Sequence, residues 1–225
     1  MASSVALASV AAVPGGQARA LLVWKASLDN QSQHALRSWG NTSAPCNWRG
    51  ITCGTGMHRH PLVIKGIFLQ GMRLRGALES LNFSALRTLT RLDPSSNQLV
   101  GHIPCEIGHM KHLVALDLSS NDLFGKIPSS IGGLTELTSL YLYSNKLSGQ
   151  IPRELGYLVN LDLLVFSNNT LAGSIPNNLG NLTKLVGLYL DNNQLFGDIP
   201  RELGYLVNLE YLSLRNNALT GPIPK

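Results

Sequence analysis

One asparagine returns every 24 residues: Asn97, Asn121, Asn145, Asn169, Asn193 and Asn217. Gly101 to Gly221 and Pro104 to Pro224 keep the same step. The unit reads L-x-x-L-x-x-L-x-L-x-x-N-x-L-x-G-x-I-P, as in "LTELTSLYLYSNKLSGQIP" at Leu134–Pro152. A worn copy, "IFLQGMRLRGAL", precedes the six at Ile67–Leu78, with Met72 in the asparagine slot. A fixed period of this length means that each unit is one turn of a coil that buries its face only against its neighbours.

Each slot has a physical task. In "LYLYSN", Leu140 and Leu142 alternate with Tyr141 and Tyr143, the period of a strand with one face inward. The turning asparagine sets its amide against backbone groups inside the bend. Glycine permits dihedrals that other residues resist. Proline cannot continue a ladder, so it sends the chain to the convex side. The predicted fold is an α/β repeat solenoid, a curved right-handed coil with parallel strands on its concave face. One unit departs from the rule: "LTRLDPSSNQL" puts Pro94 where an inward leucine belongs, which predicts a flaw in the strand ladder there.

The flanks differ from the repeats. Val5–Val13 is apolar and Ala18-Arg19-Ala20 is a small-x-small site, without a basic start, so residues 1–20 read as a secretory leader or a disordered start. Residues 21–60 lack the 24-residue pattern but hold all three tryptophans, Trp24, Trp39 and Trp48. "ALLVWKASL" has helical spacing, and "ALRSW" predicts a second short helical piece. In "CNWRGITC", Cys46 and Cys53 close a short loop. In a secreted chain they pair, adding about 2.5 kcal/mol by loop entropy. In a cytosolic chain they stay two buried thiols. Residues 61–225 are the repeats.

The cap string "ALLVWKASLDNQSQHALRSWGNTSAPCNWRGITC", followed by 24-residue units ending in G-x-I-P, resembles the ectodomain of plant leucine-rich-repeat receptor-like kinases. The resemblance covers residues 18–224. It implies a helical N-terminal cap with a Cys46–Cys53 disulfide and a convex side of 3-10 and irregular turns. It implies a secreted or cell-surface location, and a concave face that recognises a peptide or protein, with a co-receptor ectodomain as a second partner. The same module occurs in polygalacturonase-inhibiting proteins, so a soluble inhibitor of a wall-degrading enzyme is the alternative. A third reading is a fragment of a receptor serine/threonine kinase, because the sequence ends at "GPIPK" without a span or kinase motifs.

Other functions find little support. No apolar run reaches the roughly 18 residues of a membrane span. Residues 1–112 hold 11 Lys/Arg against 4 Asp/Glu and residues 113–225 hold 7 against 9, but no basic run is interleaved with aromatics, so nucleic acid is not expected. Glycine-rich phosphate loops, metalloprotease helices and nucleophile elbows are absent from the sequence, and "HRH" at His58–His60 is not a kinase loop. His102, Cys105, His109 and His112 are zinc-ligand types, but the repeat places His102 in the turn and the others outward on the convex back, so no metal or cofactor is expected. Cys105 has no obvious partner. Five N-x-[ST] sequons, at Asn30, Asn41, Asn82, Asn168 and Asn181, are acceptors in a secreted chain.

The outward strand slots form columns across the coils. The middle one runs Phe68, Asp93, Asp117, Tyr141, Val165, Tyr189, Ser213, flanked by Arg91 and Tyr211 on one side and Tyr143, Asp191 and Arg215 on the other. Tyrosine gives contact area at small entropic cost, so Tyr141, Tyr143, Val165, Tyr189 and Tyr211 read as ligand surface, with Phe68 at one end. Arg91, Asp93, Asp117, Asp191 and Arg215 supply polar specificity. Strand slots also favour aromatics without any ligand.

Overall fold

The structure, a computed structural model, describes residues 15–40, 44–55 and 62–223. The leader segment Val5–Val13, the sequon at Asn41 and the His58–His60 string lie outside them.

The cap opens with helix α1 (Gly15–Ser27), so residues 15–20, grouped with the leader on sequence grounds, begin an ordered helix. Gln17 shows why. Its side chain is buried, donates to Thr88 Oγ1 at 2.7 Å and accepts from the Ile64 amide at 3.0 Å. The second helix, α2 (Asn30–Ala35), starts earlier than "ALRSW", because Asp29 caps it by accepting from the Ser32 amide. Trp39 stacks on Trp48, with ring centroids 5.6 Å apart, and Trp24 packs tilted against Trp39 at 6.2 Å. Their donors are met: Trp24 Nε1 bonds the Ala77 carbonyl and Trp39 Nε1 that of Arg49. Cys46 and Cys53 are joined in a disulfide.

Among the described residues, fifteen strands follow the cap helices: β1 (Ile51–Thr55), β2 (Leu62–Phe68), β3 (Arg75–Ala77), β4 (Arg91–Asp93), β5 (Gln98–Gly101), β6 (Ala115–Asp117), β7 (Asp122–Lys126), β8 (Ser139–Tyr141), β9 (Lys146–Gly149), β10 (Leu163–Val165), β11 (Thr170–Gly173), β12 (Gly187–Tyr189), β13 (Gln194–Asp198), β14 (Tyr211–Ser213) and β15 (Ala218–Thr220). β1 and the even strands make an eight-stranded sheet on the concave face. β1 runs antiparallel to β2, and every later pair in that sheet is parallel with a 24-residue step, apart from the 25-residue step between β2 and β4. The odd strands from β3 onward form a second, seven-stranded sheet beside the turns. The sequence reading assigned no strand there. From β5 onward these strands carry one inward leucine each and end near a glycine at φ between +74° and +91°, so no alternation shows.

The convex side is built of 3-10 turns such as Cys105–His109, Arg153–Tyr157 and Asn177–Asn181. Each is entered from the proline of G-x-I-P, whose fixed φ suits a helical start and whose missing N–H costs nothing there. Inside, Leu134, Leu137, Leu140, Leu142 and Leu147 are fully buried, and the other enclosed coils repeat this arrangement. Each such side chain contributes about 1.5–3 kcal/mol on burial.

The asparagine ladder forms as the period requires. Asn169 Nδ2 lies 3.0–3.4 Å from the carbonyls of Leu142, Phe166 and Ser167, and its Oδ1 accepts from the Leu147 amide. One amide thus fills its own bend and ties it to the coil before. The residue preceding each asparagine is left-handed, from Ser96 at φ 55° to Asn216 at φ 52°. The Pro94 flaw is local. β4 pairs β6 only through Arg91 and Leu92, whereas β6 pairs β8 through three residues. Leu118 donates its amide to the Tyr141 carbonyl, a bond that Pro94 has no N–H to repeat toward Asp117. Pro94 is itself buried, and its carbonyl accepts from Asn97 and Asn121.

Candidate functional site

Register brings the middle column together. Phe68 lies opposite Asp93, Asp117 opposite Tyr141, Tyr141 opposite Val165, Val165 opposite Tyr189, and Tyr189 opposite Ser213. Partners across a parallel ladder are about 4.8 Å apart, so the column is continuous from Asp117 to Ser213, while the Phe68–Asp93 pair lies across the break at Pro94. Tyr141, Tyr143, Val165 and Tyr189 are half-buried, and Phe68 and Tyr211 are exposed at 39% and 56%.

Two rings are held flat by glycines that the sequence reading left without a role. A Cβ on Gly187 would lie 2.8 Å from both Leu163 and the ring of Tyr189. A Cβ on Gly66 would meet the Phe68 ring at 2.5 Å. Glycine two positions before an aromatic on the same strand face is the signal, because the empty slot lets the ring lie over the backbone. The buried Gly187 and the half-buried Leu163 thus form the floor on which Tyr189 rests.

The acidic members behave differently from one another. Asp93 and Asp117 are half-buried, and each Oδ1 accepts from the amide and hydroxyl of the serine two residues on, Ser95 and Ser119. Partial burial pushes the Asp117 carboxyl above its ordinary range, against the pull of the Ser119 bonds, with Asp93 adding repulsion. Asp191, read from the sequence as a ligand contact, is 7% exposed. Ser167 Oγ donates to its Oδ1 at 2.7 Å and Asn192 Nδ2 to its Oδ2 at 2.8 Å. Its remaining outward contact is Arg215 Nε at 3.9 Å. Asp191 therefore steadies Arg215, whose side chain is 75% exposed. The donor, Ser167, sits one coil away, which linear reading of "LYLDNN" does not reveal. Arg91 is exposed on the opposite side of the column from Arg215.

The histidine and cysteine cluster does not converge. His109 pairs with Ser84, His112 with Glu136, His102 lies by Glu79 and Phe124, and Cys105 is exposed and free. The sequon residues Asn30, Asn82, Asn168 and Asn181 are all exposed, and Asn168 flanks the concave sheet. No helix among the described residues is long and apolar enough to cross a membrane.

A cysteine-bearing cap and stacked 24-residue coils with a proline-led convex side define a leucine-rich-repeat solenoid. Residues 14–54 match the leucine rich repeat N-terminal domain family, and 112–134, 136–158, 160–182, 184–206 and 208–225 match the leucine rich repeat family. The receptor-like kinase RGI3 of Arabidopsis thaliana is 41% identical over 99 residues, which are 43% of this chain and 8% of that protein. A structure of PEPR1 with AtPEP1 superposes with a TM-score of 0.84 at 33% identity, over 94% of this chain and 29% of that one. The BIR2 ectodomain of Arabidopsis thaliana gives 0.67 at 32% identity, over 81% of this chain and 94% of that one. The Arabidopsis receptor kinase HAESA, in complex with the peptide hormone IDA and the co-receptor SERK1, gives 0.61 at 28% identity, over 94% of this chain and 43% of that one. The chain belongs to the leucine-rich-repeat family of plant receptor ectodomains. It spans only a small part of the longer relatives.

Proposed function

We propose that this chain is a non-catalytic extracellular recognition module that binds a peptide or protein ligand along its concave face. The strip Tyr141–Val165–Tyr189 carries the reading. It is continuous by register, partly desolvated, and flattened by Gly187, so ligand contact costs little side-chain ordering. Phe68 and Tyr211 extend it, Arg91 and Arg215 offer charge at its sides, and Asp93 and Asp117 offer acceptors. Peptide hormones and a co-receptor accompany the structural neighbours, and a co-receptor ectodomain is the second partner we assign to this surface.

The test is capture of peptides from plant extracellular fluid on the immobilised chain, followed by titration of each captured species. Tyr141→Ala with Tyr189→Ala should raise Kd at least about 30-fold, roughly 1 kcal/mol or more for each ring. Equal binding by the double variant removes the concave strip as the site.

A further inference from the structure

The repeated string "IPRELGYLVNL", at Ile151–Leu161 and Ile199–Leu209, lies mostly on the convex back, outside the proposed ligand face. It leaves two tyrosines bare, Tyr157 at 60% and Tyr205 at 61% exposure, each with an exposed valine, Val159 at 49% and Val207 at 81%. Large apolar side chains repeated in the open call for a cover.

The coil between the two copies supplies one. Tyr157, Asn181 and Tyr205 are 24 residues apart and end three successive 3-10 turns, Arg153–Tyr157, Asn177–Asn181 and Arg201–Tyr205. Val159, Thr183 and Val207 keep the same step. The turns stack closely: a Cβ on Gly156 would lie 2.5 Å from the Asn178 carbonyl oxygen, and one on Gly180 would lie 2.4 Å from that of Glu202. Asn181 is thus the direct neighbour of a tyrosine on each side. Asn181-Leu182-Thr183 is also a sequon.

Among the described sequons this one has both its asparagine amide and its hydroxyl free. Neither the Asn181 amide nor the Thr183 hydroxyl makes a side-chain hydrogen bond among the described residues, and both residues are exposed. Elsewhere the sequon hydroxyl is engaged: Ser32 Oγ accepts from the Arg75 amide, Ser84 bonds His109, and Thr170 donates to the Leu147 carbonyl.

We propose that Asn181 carries an N-glycan whose first sugars lie against Tyr157 and Tyr205 and cover this patch of the convex back. The negative face of a tyrosine ring suits the C–H edge of a pyranose, and its hydroxyl suits the sugar's polar rim. In the transfer, Asn181 Nδ2 attacks C1 of the reducing sugar of a lipid-diphosphate-linked oligosaccharide. The C1–O bond breaks, the lipid diphosphate leaves, and one amide proton passes to the transferring enzyme's base. The inference rests on the extracellular reading above, since only a chain in the secretory pathway meets that donor.

Secretion from mammalian cells and glycopeptide mass spectrometry test occupancy. Peptide-N-glycosidase digestion of the native protein tests the platform. Wild type should carry sugar at Asn181 and lose about 2–4 °C of Tm on digestion. Tyr157→Ser with Tyr205→Ser, still glycosylated, should lose less than about 1 °C, as should Asn181→Gln. An equal loss in all three proteins overturns the platform. An empty Asn181 beside an occupied Asn82 or Asn168 overturns the proposal and leaves the extracellular reading standing. No sugar at any sequon sinks both.

Discussion

The two copies of "IPRELGYLVNL" have one sequence and two environments. In the first, Leu155, Leu158 and Leu161 are fully buried and the following strand residue Leu164 is at 0%. In the second, Leu203 and Leu206 are at 7% and 5%, Leu209 is half-buried and the equivalent Leu212 is at 49%. Nothing in the eleven letters distinguishes them. In a solenoid a residue is buried by the coil that follows it, so burial belongs to the pair of coils rather than to the unit.

Truncating the matched leucines should expose this most strongly. Leu164→Ala removes a side chain enclosed on both sides and should cost about 3–5 kcal/mol by chemical denaturation. Leu212→Ala trims one already half in water and should cost less than about 1 kcal/mol. Similar costs for both would mean that the last coil is covered in solution, by another copy or another segment.

The ladder asparagines give a finer comparison, since their bonds are the same. Asn217 Nδ2 reaches the carbonyls of Leu190, Leu214 and Arg215, and its Oδ1 takes the Leu195 amide, as Asn169 does one coil pair earlier. Only solvent access differs: Asn169 is 9% exposed and Asn217 half-buried. Asn169→Ala strands several buried backbone groups and should cost about 2–4 kcal/mol. At position 217 water replaces much of what is lost, and Asn217→Ala should cost about 1 kcal/mol. Equal losses would show that the bonds, and not enclosure, set the value of the ladder.

The sequence makes the coil plain because one period fixes the inward leucine, the bend and the exit together. Asn97 to Asn217 and Pro104 to Pro200 do there what their chemistry requires. What escapes it depends on neighbours 24 residues away. The second sheet hides because strands such as Lys146–Gly149 carry a single buried leucine and show no alternation. Asp191 looks outward on its own strand and is sealed by Ser167 from the preceding coil. Tyr189 is legible as a candidate, but the flatness of its ring depends on Gly187 and on Leu163, whose Cδ2 lies 2.8 Å from a Cβ built there. The start of α1 was hidden because Gln17 finds its partners at Ile64 and Thr88, far along the chain.

Enclosure also acts on charge, with the smallest effect. Asp117 has coils on both sides, whereas its equivalent in the last coil is the uncharged Ser213. Burial raises the Asp117 pKa in the folded state, so the folded chain holds that proton more tightly than the unfolded chain does. Stability is therefore lost as pH rises from about 4 through the raised value, and the deficit persists at neutral pH. Asp117→Asn keeps an oxygen for the Ser119 amide and hydroxyl but removes the charge. It should raise Tm by roughly 1–2 °C at pH 7 and leave it nearly unchanged at pH 3. The matched Ser213→Asp change puts a carboxylate in the same column where solvent reaches it from one side. It should leave Tm within about 1 °C at both pH values. A pH-dependent loss at position 213 as large as that at 117 would show that the strip, and not the enclosing coils, opposes the charge.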